Sequence, residues 1–502
     1  MKISSSITCV AFAASAISAI VSCSARCADL GLFSKNQDIG WPSRAGLAVF
    51  DPAAGRYLLS GGGSNMWART DDFQFVYKEM SGDLSFSAGV RFPKPGGHPH
   101  RKACLMIRQS LEADSPYVDV ARHGNGLTAL QFRETKGGIT QEIQSGFAGP
   151  ARLGMEKRGD YISFWISNTG EELHPAGGSF KLPLTEPFYV GLAVSAHDNT
   201  TIEQAEFSQV ELKALHRPSP AVRGETRSTL EIMPISSTDR TIAYHTNVNI
   251  QAPNWTADNH LIFNSQGRLY KIGITNGTAP EPIDIENVAG LNNNHGISPD
   301  GMQLAISGGD PSRIYVGPLS GGQFKLITPI GPSYFHGWSP DGRTLVFCGQ
   351  RDGNFDVYAI PAEGGVEKRL TTAPGLDDGP EYSPDGLHIY FNSERSGSMQ
   401  IWRMKPDGSE QTQVTPDDGY NNWFAHISPN GSNMVFLTFD KNVKPNEHPA
   451  NLDVMLRLMP VNGGPVTTLA KFLGGQGTIN VASWSPDSQN IAFVTYTTIY
   501  PK

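Results

Sequence analysis

The chain has 502 residues, with 48 acidic against 40 basic side chains and a formal net charge of −8 at pH 7. This length exceeds what one hydrophobic core supports, so at least two domains are expected. The negative charge and the lack of a basic stripe argue against nucleic acid as a partner, while the 54 glycines and 35 prolines suit a turn-rich, all-β protein.

Residues 1–28 have the pattern of a targeting signal. Lys2 supplies the positive end, an apolar stretch runs from Val10 to Val21, and small residues follow. The segment Ile20–Cys23 resembles a bacterial lipobox, in which Cys23 is lipidated and becomes the mature N-terminus; ordinary cleavage near Cys27 is the alternative. Either reading predicts a secreted or periplasmic protein. The first adds an outer-membrane lipoprotein that touches the membrane only through its lipid.

Two of the five cysteines lie beyond that signal and its flank. Cys104 and Cys348 each sit in an apolar, strand-like pattern in a different half of the chain. They predict buried filler residues, and a disulfide framework is not expected.

Residues 29–216 predict a separate all-β domain. Short runs of alternating apolar residues are divided by Gly, Pro and Asn/Asp turns, which is typical of a sandwich or jelly roll. The expected strands are Leu84–Phe92, Ala103–Ser110, Tyr117–Ala121, Leu127–Arg133, Tyr161–Ser167, Phe188–Ser195 and Glu206–Leu212.

Three stretches of this region resemble bacterial concanavalin-like jelly-roll domains. They are the run Asp71–Phe86, the segment Arg101–Arg108, and Glu206–Val210, which is similar to the closing strand of that family. The resemblance implies an accessory binding domain. Candidate ligand contacts on it are Trp67, His98, His100, Arg101 and Arg108, although core packing accounts for the same residues.

A linker is expected over 217–226, and from Trp255 onward one motif recurs. An aromatic or aliphatic residue precedes Ser-Pro-Asp-Gly or a near copy, at intervals of 42, 41, 44, 45 and 57 residues. The leading residues are Trp255, Ile297, Trp338, Tyr382, Ile427 and Trp484. A period of about 40–50 residues with four strand-like stretches per unit predicts a β-propeller over 227–502.

Each unit has the turn chemistry of a four-stranded blade. Proline presets φ, Asp or Asn bonds the local backbone, and Gly accepts positive φ at the inner turn. The last copy, at Trp484, is followed by a single further strand. The segments Thr229–Met233 and Thr241–Tyr244 are expected to complete that unit, which predicts six blades closed by strand exchange.

The repeat resembles the periplasmic TolB propeller, and it also occurs in dipeptidyl peptidases and oligogalacturonate lyases. The chain departs from each of these families. A jelly roll stands where TolB has an α/β domain, no hydrolase domain follows, and the lyase histidine cluster is not reproduced. The resemblance therefore implies the fold and leaves the function open.

Polar side chains precede the motif in several copies, where inner strands start near the axis of a propeller. Different blades thus direct imidazoles and carboxylates toward one channel mouth. The ligand-binding candidates are His295, His336, Asp378, Glu381, Asn422, Trp423, His426 and Gln476. Three histidines and a carboxylate (His295, His336, Glu381 and His426) also suit a divalent metal, although no cofactor is firmly implied. The bland alternative is a polar, water-filled channel.

An insertion in the fifth unit, from Lys441 to Asp453, explains the 57-residue interval. A long loop on a rigid scaffold often shapes a ligand site. A plain surface excursion is the alternative.

Two functions from different classes fit this pattern. The first is an extracytoplasmic protein that binds a glycan or an envelope protein at the channel mouth, with the jelly roll as a second binding face. The second is a carbohydrate-active enzyme, a lyase or hydrolase that resembles the oligogalacturonate lyases and uses the His/Glu cluster. We expect the ligand to be a neutral or acidic glycan or a protein.

Overall fold

A computed structural model describes residues 29–216, 224–275 and 277–500. The targeting segment with Cys23 and most of the expected linker lie outside these residues. Regular structure in the described part is all strand, with no helix. No helix long and apolar enough to cross a bilayer therefore occurs among those residues.

The N-terminal region, residues 29–216, forms two large sheets. In order they run β1-β6-β15-β8-β9-β10-β11 and β14-β13-β12-β7-β16-β3-β2. All seven predicted strands coincide with observed ones to within a few residues. The strands are β1 (Lys35–Ile39), β2 (Leu47–Asp51), β3 (Arg56–Gly61), β4 (Met66–Trp67), β5 (Thr70–Asp71), β6 (Phe73–Met80), β7 (Asp83–Arg91), β8 (Lys102–Arg108), β9 (Tyr117–His123), β10 (Thr128–Arg133), β11 (Gln141–Ser145), β12 (Arg152–Arg158), β13 (Tyr161–Ser167), β14 (His174–Lys181), β15 (Phe188–Ser195) and β16 (Glu203–Leu215).

The two sheets enclose one apolar core. Strand β7 shows the period-2 alternation that this requires, because Leu84, Phe86, Ala88 and Val90 are buried while the residues between them are half-buried. These side chains join a cluster that contains residues of both sheets. The other face of the first sheet is also covered. It carries a second buried cluster around Phe73 and Tyr117.

The C-terminal region is built from small four-stranded sheets. Five of them run in simple sequence order: β19 to β22, β23 to β26, β27 to β30, β31 to β34 and β35 to β38. The strands are β17 (Glu225–Pro234), β18 (Arg240–Thr246), β19 (Ile250–Trp255), β20 (His260–Ser265), β21 (Arg268–Gly273), β22 (Glu281–Ile283), β23 (His295–Ile297), β24 (Gln303–Gly308), β25 (Arg313–Pro318), β26 (Lys325–Leu326), β27 (Ser333–Trp338), β28 (Thr344–Arg351), β29 (Asn354–Pro361), β30 (Lys368–Arg369), β31 (Asp377–Tyr382), β32 (Ile389–Ser393), β33 (Gln400–Met404), β34 (Thr412–Gln413), β35 (Tyr420–Ile427), β36 (Asn433–Asp440), β37 (Leu452–Pro460), β38 (Thr467–Gly474) and β39 (Asn490–Ile499).

The recurring motif ends each inner strand with the same hydrogen-bonded turn. The hydroxyl of Ser339 donates to Asp341 Oδ1 at 2.6 Å and accepts the Thr344 N–H at 2.9 Å, and Gly342 takes φ of 71°. The hydroxyl-to-Oδ1 bond recurs at 2.5–2.8 Å in every copy: Thr256–Asp258, Ser298–Asp300, Ser339–Asp341, Ser383–Asp385, Ser428–Asn430 and Ser485–Asp487. The motif is therefore a self-contained turn that leaves its polar groups satisfied.

The strands after the last motif pair with strands from before the first. β39 runs antiparallel to β17 over its whole length, β17 pairs with β18, and Trp484 forms a single bridge to Ile491 of β39. The segments Thr229–Met233 and Thr241–Tyr244 lie in β17 and β18. Strand β17 already begins at Glu225, inside the stretch expected to be linker.

The two regions share a sheet. Strand β11 pairs parallel with β18, so the first N-terminal sheet continues through β18 and β17 to β39. Beside this junction the buried Glu231 carboxylate lies 3.2 Å from Arg240 Nη1 and accepts a hydrogen bond from Thr495. Gly178 N–H donates to Thr229 Oγ1 at 2.9 Å across the same boundary. Backbone pairing and the Gly178–Thr229 hydrogen bond thus join the regions, and a buried ion pair between β17 and β18 lies beside the junction.

Candidate functional site

Four inner strands contain an extra residue within the few positions that precede the turn motif. Their pairing registers shift between Gln251 and Asn254, Phe335 and Gly337, Asp378 and Glu381, and Trp423 and His426. Three of these bulges hold a residue at positive φ: Ala252 at 56°, Gly379 at 60° and Phe424 at 52°. A bulge bends the strand and re-aims its side chains. Side chains before and after it therefore face different surroundings.

A cavity of about 530 Å³ opens among these bulged strands. It is lined by amides, aromatic rings, two imidazoles, one thiol and one carboxylate. The lining residues are Asn292, Asn293, Asn294, Tyr334, His336, Cys348, Phe355, Leu376, Asp378, Phe424, Asn446, His448, Gln476 and Asn480. This volume falls in the range of small-ligand sites. We call it the mouth cavity.

Asp378 is the charged centre of the mouth cavity. Its Oδ1 accepts the Gly379 N–H at 2.7 Å and lies 3.1 Å from His336 Nε2. Burial acts to raise the pKa of Asp378, but the facing rings of His336 and His448 and the Gly379 N–H outweigh burial and hold the pKa below the usual range of a carboxyl. The group is therefore an anion at neutral pH.

The predicted insertion forms one wall of the cavity. Asn446 and His448 lie in the loop between β36 and β37 and line the space. The His448 ring packs edge-on against Trp423 and Phe424, with ring centroids 4.5 and 5.2 Å apart. Burial lowers the pKa of His448, with Asp378 acting in the opposite direction. The expectation that this insertion shapes a ligand site agrees with where the loop lies.

One amide of the lining has a free donor. Among the described residues Asn293 Nδ2 has no hydrogen-bond partner, and Asn293 is only 4% exposed, whereas the side chains of His448 and Gln476 interact with each other. A buried polar atom without a partner costs about 1–3 kcal/mol. The cavity therefore offers a donor that a ligand would satisfy.

Three of the eight predicted residues line the cavity: His336, Asp378 and Gln476. Glu381 and His426 lie on the other side of their bulges and bond to each other. His426 Nδ1 is 2.6 Å from Glu381 Oε2, its Nε2 faces the Ile479 carbonyl, and Glu381 Oε1 accepts the Ile427 N–H. This pair joins the inner strands β31 and β35 and leaves neither imidazole nitrogen free for a ligand.

The remaining candidates are buried in the sheets. Trp423 is fully buried in an apolar cluster, so its ring is not offered to a ligand. Asn422 donates to Gln400 of the neighbouring sheet at 2.8 Å and accepts from Thr438 of its own sheet at 2.7 Å. His295 is 1% exposed, and burial lowers its pKa to about 4. None of the three lines the cavity.

The metal interpretation needs correction on the same grounds. The described residues contain no group of three or more His, Cys, Asp and Glu side chains placed to hold a metal. Of His295, His336, Glu381 and His426, the last two are engaged with each other, and only His336 lines the mouth cavity. His295 and His336 stand two positions before the leading residue of their motif, whereas Glu381 and His426 stand one position before it, so the two sets point to opposite faces of their strands.

Two arginines that the sequence predicted as ligand contacts of the N-terminal domain are also buried. Arg108 is fully buried beside Asp71, 3.4 Å away, and Arg101 pairs with Glu203 at 2.8 Å. Their guanidinium groups stabilise the sheet rather than face solvent.

Sequence reasoning missed Phe355, Leu376 and Phe424 of the mouth cavity. The prediction named the neighbouring Trp423 as the aromatic ligand contact of this strand and passed over Phe424. The positive φ of Phe424 puts its ring, not the indole, beside the His336 ring, with centroids 6.3 Å apart. No sequence signal marks that conformation, since it is rare for a bulky residue.

Comparisons with known proteins agree on the C-terminal region. Residues 309–455 match the family model described as the TolB beta propeller domain. An uncharacterized protein of Agrobacterium fabrum strain C58 is 45% identical over 284 residues, which cover 56% of this chain and 96% of that protein. A TolB homolog of Chlorobaculum tepidum is 33% identical over 102 residues, 18% of this chain and 23% of its own length. A solved structure from Agrobacterium tumefaciens, provisionally assigned to TolB, is 45% identical, with a TM-score of 0.53 over 55% of this chain and 99% of its own.

Proposed function

The chain belongs to the TolB-like β-propeller family over its C-terminal region, and from that premise we propose that it is an extracytoplasmic binding protein. Its partner, a protein of the cell envelope or a glycan, docks at the mouth cavity. The observation that carries this proposal is the combination of an open, ligand-sized space with an unpartnered amide donor and an ionised Asp378.

The proposal includes a specific architecture. Strands β17, β18 and β39, with the bridge at Trp484, act as a sixth blade that closes the propeller. The N-terminal region is a concanavalin-like jelly roll that serves as an accessory binding domain and is held to that blade by the β11–β18 pairing. Residues 1–28 act as the export signal, with or without lipidation at Cys23. The strand pairings support the first two assignments, and the sequence of residues 1–28 supports the third.

A protein partner is favoured over catalysis on sugars. Hydrolysis of a glycosidic bond ordinarily uses two carboxyl groups that flank the bond. Within the described lining of the mouth cavity Asp378 is the sole carboxyl group, and Glu381 is tied to His426 outside it. Six amide side chains in the lining suit the N–H and C=O groups of a peptide backbone equally well as sugar hydroxyls.

Selection experiments on the purified protein test the proposal. A random heptapeptide display library and a glycan array are screened in parallel, and the best ligands are measured against His336→Ala. His388→Ala is the matched control, because this histidine lies by a turn motif outside the cavity. We expect at least a 10-fold loss of affinity for the first variant and no change for the second. Ligands that bind both variants equally well would show that the mouth cavity is not the binding site.

A further inference from the structure

We propose that the mouth cavity recognises a positively charged group, the ammonium or guanidinium of a peptide segment, which enters beside Asp378. This inference rests on the proposed function and names the chemistry of its ligand. It replaces the sequence-based expectation of a neutral or acidic glycan.

The charged groups that line the cavity favour a cationic ligand. The lining residues that the structure describes include one carboxylate and two imidazoles but no lysine or arginine. Two arginines of the adjoining sheets are paired with carboxylates outside the cavity: Arg351 forms a two-point pair with Glu367 at 2.7 and 2.9 Å, and Arg395 bonds to Asp377 at 2.7 Å. The negative charge of Asp378 therefore meets no permanent positive charge in the cavity. An acidic ligand would be repelled and a cation attracted.

The hydrogen bonds around Asp378 make conflicting demands on one nitrogen of His336. His336 Nε2 lies 3.1 Å from Asp378 Oδ1 and also 3.1 Å from Asn294 Nδ2. A nitrogen of neutral imidazole either donates or accepts, so Nε2 cannot serve the carboxylate, which needs a donor, and the amide NH₂, which needs an acceptor. One of the two contacts is left unsatisfied.

An incoming ammonium or guanidinium resolves this conflict. It donates directly to the Asp378 carboxylate, and His336 Nε2 is then free to accept from Asn294. Charge-assisted hydrogen bonds of this kind are shorter and stronger than neutral ones. Binding would thus satisfy both His336 and Asn294, whose hydrogen-bonding needs conflict while Nε2 also serves Asp378.

The rest of the lining favours a peptide as the carrier of the charge. Asn293 Nδ2 is an unpartnered donor that suits a backbone C=O, and five further amide side chains in the lining offer both donors and acceptors. Tyr334, Phe355 and Phe424 supply apolar surface for the aliphatic stem of a lysine or arginine. A free amine would use Asp378 but leave Asn293 Nδ2 without a partner.

The experiment uses the full mature chain and the heptapeptide library. Peptides are selected on the wild-type protein, and their affinities are measured by calorimetry for wild type, Asp378→Asn and Asp417→Asn. The first variant removes the charge with almost no change of shape. Asp417 is exposed and outside the cavity, so the control removes the same charge elsewhere. Butylammonium is titrated alone as the free-amine probe.

We expect the selected peptides to be enriched in Lys or Arg. Changing that residue to Gln should weaken binding at least 10-fold on wild type and on Asp417→Asn, and less than 3-fold on Asp378→Asn. Butylammonium should bind at least 100-fold more weakly than the peptide, and comparable affinity would overturn the peptide assignment. Selected peptides that depend on His336 yet lack a cation, or that carry Asp or Glu, would overturn the inference while leaving the proposed function intact. If no selected peptide depends on His336, both fall.

Discussion

The two ends of the same inner strands are built on opposite principles. At the turn end, each copy of the motif repeats one hydrogen-bond pattern, and Ser339, Asp341 and Thr344 satisfy one another within a few residues. At the mouth end the strands are bulged, no two carry the same residues, and Asn293 Nδ2 lacks a partner among the described residues. Regular repetition stabilises the fold, and the departures from it create the cavity.

Two imidazole–carboxylate pairs that the sequence predicted for one site differ in their surroundings. His426–Glu381 is enclosed and tied to two backbone groups, whereas His336–Asp378 lines a cavity and competes with Asn294. The first pair should contribute to stability and the second to binding. The predictions below test that division.

The largest effect is expected from His426→Ala. The substitution removes the imidazole that bonds both the Glu381 carboxylate and the Ile479 carbonyl, and breaking such an enclosed pair costs about 3 kcal/mol or more. Urea unfolding of the variant should show this loss. A loss of unfolding free energy below about 1 kcal/mol would mean that the His426–Glu381 pair contributes little to stability. The effect on ligand binding should be small once the variant is folded.

A smaller loss is expected at the turn end. Ser339→Ala removes a hydroxyl that both donates and accepts, so we expect a loss of about 1–2 kcal/mol in unfolding free energy. The chain supplies its own control, because the fifth copy has Asn430 where the others have Asp, and Ser428 still bonds to it at 2.8 Å. Asp341→Asn should therefore change stability by less than about 0.5 kcal/mol. Equal losses in the two variants would argue against the hydrogen-bond account of the turn.

His336→Ala should change stability by less than about 1 kcal/mol. The side chain lines a cavity and, among the described residues, makes no hydrogen bond to a buried backbone carbonyl, and Asp378 keeps the Gly379 N–H as a partner when the imidazole is removed. Thermal unfolding checks this directly. A loss as large as that of His426→Ala would place His336 with the structural residues.

The smallest effect concerns acid stability. The pKa of Asp378 is held below its usual range, whereas an unfolded aspartate titrates near 3.9. Below that pH the unfolded chain binds a proton that the folded chain does not, so this contribution to stability is present above about pH 4 and declines as the pH falls further. The difference in Tm between wild type and Asp378→Asn should narrow between pH 6 and pH 3. A difference that stays constant would show that this carboxylate is not specially stabilised.

The sequence predicts much of the fold, because its signals are local. Ser-Pro-Asp-Gly specifies a turn from four adjacent residues, and period-2 alternation marks strands such as β7. The pairing of β39 with β17 could be anticipated because the last repeat is incomplete. The parallel pairing of β11 with β18 could not be anticipated, because neither strand carries a sequence signal for the strand that it pairs with.

The site was predicted less well because the two residues before each motif were treated as equivalent. Glu381 and His426 directly precede the leading residue, whereas His336 stands two positions before it, and adjacent residues of a strand point to opposite faces. Glu381 and His426 were therefore misplaced, while His336, Asp378 and Gln476 were found. The insertion was found because an interval of 57 residues is visible without knowledge of side-chain direction.

One measurement tests the division most directly: the affinity of a mouth-selected peptide for Asp378→Asn and Asp341→Asn. Both variants replace a carboxylate of lowered pKa with its isosteric amide, one at the mouth and one at a turn. We predict at least a 10-fold weakening for Asp378→Asn and no change for Asp341→Asn, with both proteins folded. Equal affinities for the two variants would contradict the assignment of binding to the mouth cavity.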